Sequence, residues 1–457
     1  MPEQLDRAIA DHGVRTVRLM ANLPDGRLIG KYVAATHLAE MLPDVPNVAD
    51  IMFGLDVDNE PNPMTPPGWR GNLAELYLEP DFDTLAVDPR LPGLASVLCC
   101  FVLGDGSAIP ECPRGQVRRL LGELADRGFS MKAGYEVEFN AFEENLAVAR
   151  RTGYRGLTPL GGHPASAYSV TKTLPAVRFM DAVTRRLDDL GIHWESWLDE
   201  GGAGQFELNL EPDDALRTAD NITRTRLVLK EVAEEMGHTI TFMAKWNPDQ
   251  WGGGLHFNHS LWRGDQSAFY DAGAEDNRSD VYRHWLGGLM ATMRGATAIG
   301  QPNINSYRRF VELAGSPTTV TWSGDNKTTS MRAMAASPGS ARAELRTPGS
   351  DANVYLVMAA ALAGGIAGLD EQIQPPPPFV GNAWGLPASD GLALPASIRA
   401  AAAALGADHR LRANLGDAFV DYWIGMLDWE WLAFHTGGGD PDAELTDWEL
   451  SRYFERV

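Results

Sequence analysis

Hydrophobic and polar residues alternate with a period of two along four short segments of the chain. In the first segment, residues 134–139, Glu136 and Glu138 share one face and apolar side chains occupy the other. The remaining segments cover residues 205–210, 255–260 and 342–346. This period is typical of strands with one buried face. We predict four strands in a curved sheet, whose concave face lines a charged cleft and whose convex face packs on helices.

Other segments have the period of helices that bury one side. Pro113 begins such a helix, and apolar stripes follow within residues 177–190 and 229–236. The apolar run 354–369 is too short and too rich in glycine to span a bilayer, so it predicts a buried helix. Three more helices are predicted near the end of the chain, at residues 395–405, 415–433 and 446–455. Thr446 is the expected cap of the last one.

The N-terminal part has a different organisation. Its predicted strands cover residues 14–20, 26–33, 73–78 and 96–103. Residues 56–71 are rich in Pro, Asn, Asp and Gly and predict a loop, and long loops without regular structure are often functional. We predict two domains, at residues 1–110 and 111–457.

The composition of the chain argues against several classes of function. The chain has 457 residues and a formal net charge of −22, which argues against non-specific binding of nucleic acid or of an anionic membrane. Three cysteines are too few for a disulfide framework and lack zinc-ligand spacing, so we expect a reducing cytoplasm. No apolar secretory segment is visible near residue 1.

The polar faces of the four strands carry the candidate chemistry. Two carboxylates about 7 Å apart on one strand face repel each other unless a cation lies between them. Carboxylates with a single imidazole, His256, suit Mg²⁺ or Mn²⁺ better than zinc. Nearby arginines suit a nucleotide polyphosphate together with an anionic substrate, and they are Arg309, Arg332, Arg342 and Arg346.

Each of these residues, taken alone, has a simpler interpretation. A single Glu-x-Glu strand is more often a solvated edge, and a lone histidine is more often structural. Arg342 and Arg346 could equally be ion-pair partners of Glu344. Only the ordered set outweighs these alternatives.

The ordered set resembles the glutamine synthetase family over nearly the whole chain. The matching segments appear in the family's order and approximate spacing. They are residues 134–139, 200–207, 252–260, 305–309, 325–332 and 342–356.

The resemblance implies an α+β fold, with an N-terminal β-grasp domain and a glutamine synthetase-type catalytic domain of curved antiparallel sheet flanked by helices. It also implies a homo-oligomer, a dodecamer of two stacked hexameric rings, with each site between neighbouring subunits. In the implied reaction, ATP phosphorylates the γ-carboxylate of glutamate and an amine then attacks the acyl phosphate. The implied cofactors are ATP and Mg²⁺ or Mn²⁺, two to three ions per site.

The resemblance also assigns residues. One metal takes Glu138, Glu200 and Glu207, and the other takes Glu136, His256 and Glu344. Gly252, Arg309 and Arg346 match positions that hold glutamate, with Trp251 and Gly315 beside them. The nucleotide and phosphate positions are matched by Glu195, Asn258, Ser260, Lys327 and Arg332. Arg309 and Arg332 are the expected catalytic residues.

The chain departs from the family at several positions. Gly315 replaces the acidic residue that closes the site and helps deprotonate ammonium, and the loop at 56–71, which supplies another ammonium-binding aspartate, is rewritten. Trp251 and Asn258 replace an asparagine and a histidine, while Lys327 replaces an arginine. Trp384 stands about where some bacterial members carry an adenylylated tyrosine. Gly339 replaces a lysine near the nucleotide.

These departures predict a ligase that joins glutamate to an organic amine larger than ammonia, with Asp56, Asp58 or Glu60 as candidate amine contacts if they are not simply solvated. Two alternatives remain. One is glutamine synthetase itself, using ammonia. The other is a catalytically silent member of the family that serves as a structural or regulatory oligomer.

Overall fold

A computed structural model describes residues 3–65, 73–161, 167–310, 315–386 and 391–457. The helices are α1 Glu3–His12, α2 Ala35–Met41, α3 Pro113–Asp126, α4 Leu146–Arg151, α5 Leu174–Asp189, α6 Ala215–Glu235, α7 Asp280–Gly300, α8 Val354–Glu371, α9 Ile398–Ala407, α10 His409–Leu415, α11 Asp417–Thr436 and α12 Asp447–Tyr453. The strands are β1 Thr16–Asn22, β2 Leu28–Ala34, β3 Asn47–Ala49, β4 Glu75–Val87, β5 Leu94–Val102, β6 Ser130–Phe142, β7 Trp194–Asp199, β8 Gln205–Leu210, β9 Asp213–Asp214, β10 Thr239–Thr241, β11 Leu255–Arg263, β12 Gln266–Ser267, β13 Trp322–Ser323, β14 Met331–Met334 and β15 Arg342–Leu345.

The first sheet contains five strands in the order β2-β1-β5-β4-β3. β1 pairs with β5 in parallel, and the other neighbours are antiparallel. Val17 and Leu19 point into the core from β1, as their alternation predicts. The four strands predicted in this region are present, and β4 extends further along the chain than predicted.

The second sheet carries the four strands with polar faces as direct neighbours, in the order β15-β11-β6-β8. β13 and β14 continue the sheet beyond β15, and β7 continues it beyond β8. All pairs along this path are antiparallel except β13 with β14. The predicted α+β class with a curved catalytic sheet is therefore confirmed.

Helices cover the apolar face of this sheet. Tyr135 of β6 is buried, and its hydroxyl donates to the carbonyl of Val354 at the start of α8, 2.7 Å away. The expectation that this run is too short to span a bilayer is wrong, since α8 is long and apolar enough to do so, but 83% of its residues are buried inside the protein. It is therefore the buried core helix that the sequence predicts.

Glycines bring α7 and α8 into close contact. A Cβ atom on Gly288 would lie 2.1 Å from the carbonyl oxygen of Gly364 and 2.6 Å from the Cα of Gly368. Only glycine allows two backbones to approach so closely. The sequence pattern did not predict α7, in which most residues are buried and only a few, such as Arg294, are exposed.

Arg114 of α3 joins the first sheet to two helices through an ionic cluster. Its guanidinium donates to both carboxylate oxygens of Asp220 of α6, at 2.9 and 2.8 Å, and to Asp81 of β4 at 2.7 Å. Tyr355 of α8 also donates to Asp220, at 2.7 Å. The first sheet is therefore tied to the helices behind the second sheet by charge as well as by apolar packing.

Other local predictions can be compared with the structure. The cap on the last helix is confirmed, since Thr446 and Glu449 form a capping box at the start of α12. Two members of the predicted apolar stripes are wrong: Val177 is 40% exposed and Met236 is 37% exposed. Both lie at the margin of their helix face, where one turn of periodicity cannot distinguish a buried side chain from a peripheral one.

Candidate active site

A cavity of about 350 Å³ opens on the concave face of the second sheet. Its lining includes many of the residues assigned from the sequence: Glu136, Glu138, Glu200, Glu207, Trp251, Gly252, His256, Arg309, Gly315, Lys327, Arg332 and Arg346. Four further residues complete the lining, namely Ala167, Tyr168, Ser316 and Trp384. Sequence segments that lie up to about 200 residues apart therefore meet in one cavity.

Strand register explains how the carboxylates converge. His256 of β11 pairs with Glu136 of β6, and Glu207 of β8 pairs with Glu138 of β6. Directly opposed side chains on one sheet face have Cβ atoms about 4.5–5.5 Å apart. Glu344 of β15 is opposite Asn258, one step from His256 on the same face.

Two groups of three ligands result. Potential ligand atoms of Glu136, His256 and Glu344 all lie within 4.8 Å of one another, as do those of Glu138, Glu207 and His256. His256 stands between the groups, with Nδ1 2.8 Å from Glu136 and Nε2 3.7 Å from Glu138. Oxygen-rich sets with one imidazole fit a hard divalent cation, so these residues fit Mg²⁺ or Mn²⁺.

The protonation behaviour of the cluster shows unbalanced negative charge. Burial and the charges of Glu136 and Glu138 raise the pKa of Glu207 to about 8. Burial and the charge of Glu138 raise the pKa of Glu200 to about 7. A cation bound among these groups would relieve both effects, because it favours the ionised carboxylates.

Glu136 behaves in the opposite way. Burial by itself would raise its pKa, but hydrogen bonds from His256 and Asn258 and the charge of Arg346 lower it to about 2. The pKa of His256 is raised, because Glu136 and Glu138 outweigh the effects of burial and of Arg346.

Neighbouring groups orient the acidic ligands. Gln205 donates to Glu138 at 2.8 Å, and the amide of Gly254 donates to the same carboxylate at 3.0 Å. Arg346 donates to Glu344 at 2.5 Å, and Arg332 also contacts Glu344. The interpretation of Arg346 as an ion-pair partner of Glu344 is therefore confirmed.

Arg342 does not join the cavity. It is exposed, and its Nε donates to the side-chain oxygen of Asn258 at 3.1 Å. The sequence placed Arg342 beside Glu344 and Arg346, but residues at the start of a short strand lean outward at the rim of the sheet. The arginines that line the cavity are Arg309, Arg332 and Arg346.

Gly252 and Arg309 fit closely together. A Cβ atom on Gly252 would lie 2.5 Å from the Cγ of Arg309, so glycine is required for this contact. Arg309 is buried, which lowers its pKa, and it donates to the carbonyl of Thr347 at 3.1 Å.

Three of the predicted nucleotide contacts lie outside the cavity lining. Glu195 is exposed at a register shift between β7 and β8. Asn258 donates to Glu136 at 3.0 Å, and Ser260 accepts from Trp262 at 2.9 Å. Asn258 and Ser260 follow His256 along one face of β11, and their nucleotide role stays a prediction.

The side chains of Trp251, Tyr168 and Trp384 line the same cavity as the carboxylates and are called here its aromatic wall. The indole of Trp251 is 45% exposed, and it packs against Gly201 and Gly315. A Cβ atom at Gly315 would lie 3.4 Å from this ring, and the backbone there has φ +85°. Tyr168 and Trp384 complete the wall. Neither was assigned to the site from the sequence, because Tyr168 lies in a segment without periodicity and Trp384 was noted only for its position near a modified tyrosine.

The predicted loop at 56–71 is partly visible. Its described part, residues 56–65, contains no helix or strand, and residues 66–71 lie outside the described ranges. Asp56 is only 3% exposed and accepts from Arg452 at 2.9 Å and from Trp429 at 2.9 Å. Asp58 pairs with Arg452 and Arg456. The alternative of a solvated carboxylate is therefore wrong for Asp56, whereas Asp58 is partly exposed and Glu60 is exposed; a contact of any of them with an amine stays a prediction.

Comparison with known proteins identifies the family. The model of the glutamine synthetase catalytic domain matches residues 110–453. The chain belongs to the glutamine synthetase family. It is thus an enzyme of the ligase type, in a family that generally uses ATP and divalent metal ions, and the resemblance seen in the sequence is confirmed.

Several members of this family are similar to the chain along nearly its whole length. A glutamate–isopropylamine ligase from a Pseudomonas species is 31% identical, covering 98% of this chain and 97% of the relative. The γ-glutamylethanolamide synthetase GlnA4 of Streptomyces coelicolor is 32% identical, covering 100% and 96%. A glutamine synthetase of Thermotoga maritima is 31% identical, covering 99% of each.

The fold agrees with a solved family structure. A complex described as GmaS with ADP superimposes with a TM-score of 0.83 at 26% identity, covering 98% of both chains. This glutamine synthetase-family chain therefore matches its relatives in sequence order and in tertiary structure.

Proposed function

We propose that this protein is an ATP-dependent ligase that joins the γ-carboxylate of glutamate to an organic amine through a γ-glutamyl phosphate intermediate. The observation that carries the proposal is the pairing of Gly315 with Trp251. The metal-ligand set is complete, while the position expected to carry an ammonium-binding carboxylate is a glycine packed against an indole.

The proposed roles follow the arrangement of the cavity. Glu138, Glu200 and Glu207 would hold one cation, and Glu136, His256 and Glu344 the other. Bound Mg²⁺ or Mn²⁺, two to three ions per site, would offset charge on the phosphates during transfer. Arg309 and Arg346 would bind glutamate beside Gly252. The nucleotide and its phosphates are assigned to Glu195, Asn258, Ser260, Lys327 and Arg332.

Backbone conformation disfavours a carboxylate at position 315. An L-residue at φ +85° is strained, and its Cβ would be in ordinary van der Waals contact with Trp251. In the described part of the loop, residues 56–65, Asp56 and Asp58 pair with Arg452 and Arg456, and none of its residues lines the cavity. An ammonium ion needs compact polar contacts, whereas an alkyl or aryl amine gains from burial against an aromatic wall.

An amine panel tests the proposal. Phosphate release is measured with Mg²⁺, ATP and glutamate, adding ammonium, isopropylamine, ethanolamine or benzylamine in turn. We expect at least one organic amine to exceed ammonium about 10-fold in kcat/KM, the selectivity that a few contacting methylene groups supply. Turnover with ammonium that equals or exceeds turnover with every organic amine would contradict the proposal.

Trp251 provides the matching site test. Trp251→Ala should lower kcat/KM for the preferred organic amine about 10-fold or more, and should change the ammonium rate much less, because only the organic amine loses apolar contact. Trp251→Phe is the control that retains an aromatic ring. Equal losses for ammonium and for the organic amine would remove Trp251 from the amine site.

Two alternatives have defined outcomes in the same assay. Glutamine synthetase proper is favoured by relatives such as the Thermotoga protein, and it predicts ammonium as the best substrate. A silent oligomer predicts no phosphate release with any amine, and no rise in melting temperature on addition of ATP and Mg²⁺.

Assembly and compartment are part of the proposal. We propose a homo-oligomer, a dodecamer of two stacked hexameric rings, in the cytoplasm. The free thiols of Cys99, Cys100 and Cys112, all buried, agree with a reducing compartment. Mass measurement of the purified protein in solution tests the assembly directly.

A further inference from the structure

Lys327 makes a contact in the cavity that its assignment to phosphate does not require. Its Nζ lies 3.0 Å from the hydroxyl of Tyr168 and 5.7 Å from the centre of that ring. The amide of Tyr168 donates to the carbonyl of Asp199 at 2.8 Å, which anchors the backbone beneath this contact. A positive charge is therefore held at the aromatic wall of the cavity.

The described carboxylates around Lys327 already have other partners. Among the residues described in the cavity lining, the carboxylates are Glu136, Glu138, Glu200 and Glu207, and each belongs to a proposed metal set. Asp325, the nearest acidic residue in sequence, pairs with Arg332 at 2.6 Å. Other residues described in the cavity lining are neutral, among them Ala167, Tyr168, Trp251, Gly315, Ser316 and Trp384.

An aromatic ring face that is open to the substrate would attract a second ammonium group. Lys327 lies at the hydroxyl end of Tyr168, 3.0 Å from the oxygen and 5.7 Å from the ring centre, and so it does not cover the ring face. The indole of Trp251 packs against the backbone at Gly201, where an added Cβ would lie 2.3 Å from the ring. The wall thus offers apolar surface to a substrate, together with one fixed positive charge.

We propose that Lys327, positioned by Tyr168, restricts the amine substrate to monoamines with an uncharged tail and excludes diamines and polyamines. A second ammonium group in this part of the cavity would face Lys327 with no free carboxylate among the described lining residues, and the two like charges would repel each other although Lys327 is exposed. An alkyl or aryl tail of the same length meets no such penalty. This inference rests on the proposed use of an organic amine.

A pair of isosteric substrates tests the inference. 1-Pentylamine and 1,4-diaminobutane have the same number of heavy atoms and differ in one terminal group, methyl against ammonium. With the full-length protein at neutral pH, we expect kcat/KM to favour pentylamine at least 10-fold. A wild-type preference for diaminobutane, or equal use of both, would overturn the inference.

Variants at Lys327 separate charge from structure. Lys327→Met removes the charge and retains the length, and it should reduce the preference for pentylamine to within about 2-fold. Lys327→Arg should retain the preference. Both substrates are measured on each variant, so a general loss of activity cancels in the ratio. An unchanged ratio in Lys327→Met would overturn the assignment.

Tyr168→Phe gives a second, milder variant. It removes the hydroxyl that holds Lys327 and should lower the ratio partway. Lys132→Met, which removes an exposed lysine of β6 outside the cavity lining, is the control and should leave the ratio unchanged. A larger shift in the control than in Tyr168→Phe would contradict the role of Tyr168.

The outcomes also separate this inference from the proposed function. Consumption of ammonium without either organic amine would contradict the organic-amine ligase itself. Consumption of diaminobutane as readily as pentylamine would contradict only the charge restriction, and would indicate a polyamine substrate.

Discussion

Single residues in the cavity have properties that a strand pattern does not reveal. Glu207 is 7% exposed and lies beside Glu138 with Asn209 as its hydrogen-bond donor, at 3.0 Å. Burial and the charges of Glu136 and Glu138 raise the pKa of Glu207 to about 8. A carboxylate in such surroundings is ionised at neutral pH only if a cation accompanies it.

Glu207→Gln should therefore separate catalysis from stability. We expect the turnover to fall more than about 100-fold, since even groups that only orient metal ligands contribute about 10–100-fold. The melting temperature without Mg²⁺ should stay close to that of the wild type, because burial and the neighbouring carboxylates already favour the protonated, uncharged form of Glu207. Phosphate release and thermal unfolding measure the two effects.

Glu143→Gln at the end of the same region provides the control, because this side chain is exposed. It should leave both quantities unchanged. Wild-type turnover in Glu207→Gln would break the proposed metal assignment.

At the scale of secondary-structure elements, the close approach of backbones determines which strands pair and which helices pack against each other. β6 lies between β11 and β8, so its two glutamates each find a partner on a different neighbouring strand. Behind the sheet, α7 and α8 touch through glycines. The site thus depends on helices that never reach it, since they hold the apolar face of its strands.

Two glycine substitutions test this packing. Gly288→Ala should destabilise the protein by at least about 1–3 kcal/mol, the usual cost of inserting a methyl group into a filled core. Gly122→Ala on α3 has no atom within 4 Å of the added Cβ and should stabilise by about 0.5–1 kcal/mol. Denaturant unfolding measures both. A neutral Gly288→Ala would contradict close helix contact.

At the scale of the whole molecule, two glutamates of the cavity contribute to the pH dependence of stability. The chain has a net charge of −22, and Glu200 and Glu207 both have raised pKa values, of about 7 and about 8, caused first by burial and then by neighbouring carboxylates. A group whose pKa is raised on folding stabilises the folded state when protonated, and this contribution disappears as the pH rises through the folded-state pKa.

The effect of Mg²⁺ on stability should therefore depend on pH. Without metal, we expect the melting temperature to fall between about pH 6 and pH 8.5 as Glu200 and Glu207 ionise. Mg²⁺ should restore it, with an increase several degrees larger at pH 8.5 than at pH 6, where protons compete for the ligands. Thermal unfolding in chelator and in Mg²⁺ measures the difference. An equal increase at both pH values would contradict this linkage.

Much of the site could be predicted from the sequence because strand alternation is local. Glu136 and Glu138 share a face in any strand formed by their segment. Glu207 and His256 likewise lie on the polar faces of their own, separate segments. The family resemblance then supplied order and roles, and the division at residue 110 stays a prediction. Helix α7 was not predicted, since most of its residues are buried and few polar positions mark its period.

The sequence by itself determined the four polar strand faces, the candidate ligands and the departure at Gly315, because these depend on residue type and on short spacings. Only the tertiary structure decided which carboxylates become neighbours, that Asp56 and Asp58 are bound by Arg452, and that Trp251, Tyr168 and Trp384 form one wall with Lys327. Strand register and chain crossings set these contacts, and they join residues far apart in sequence whose meeting no local pattern encodes.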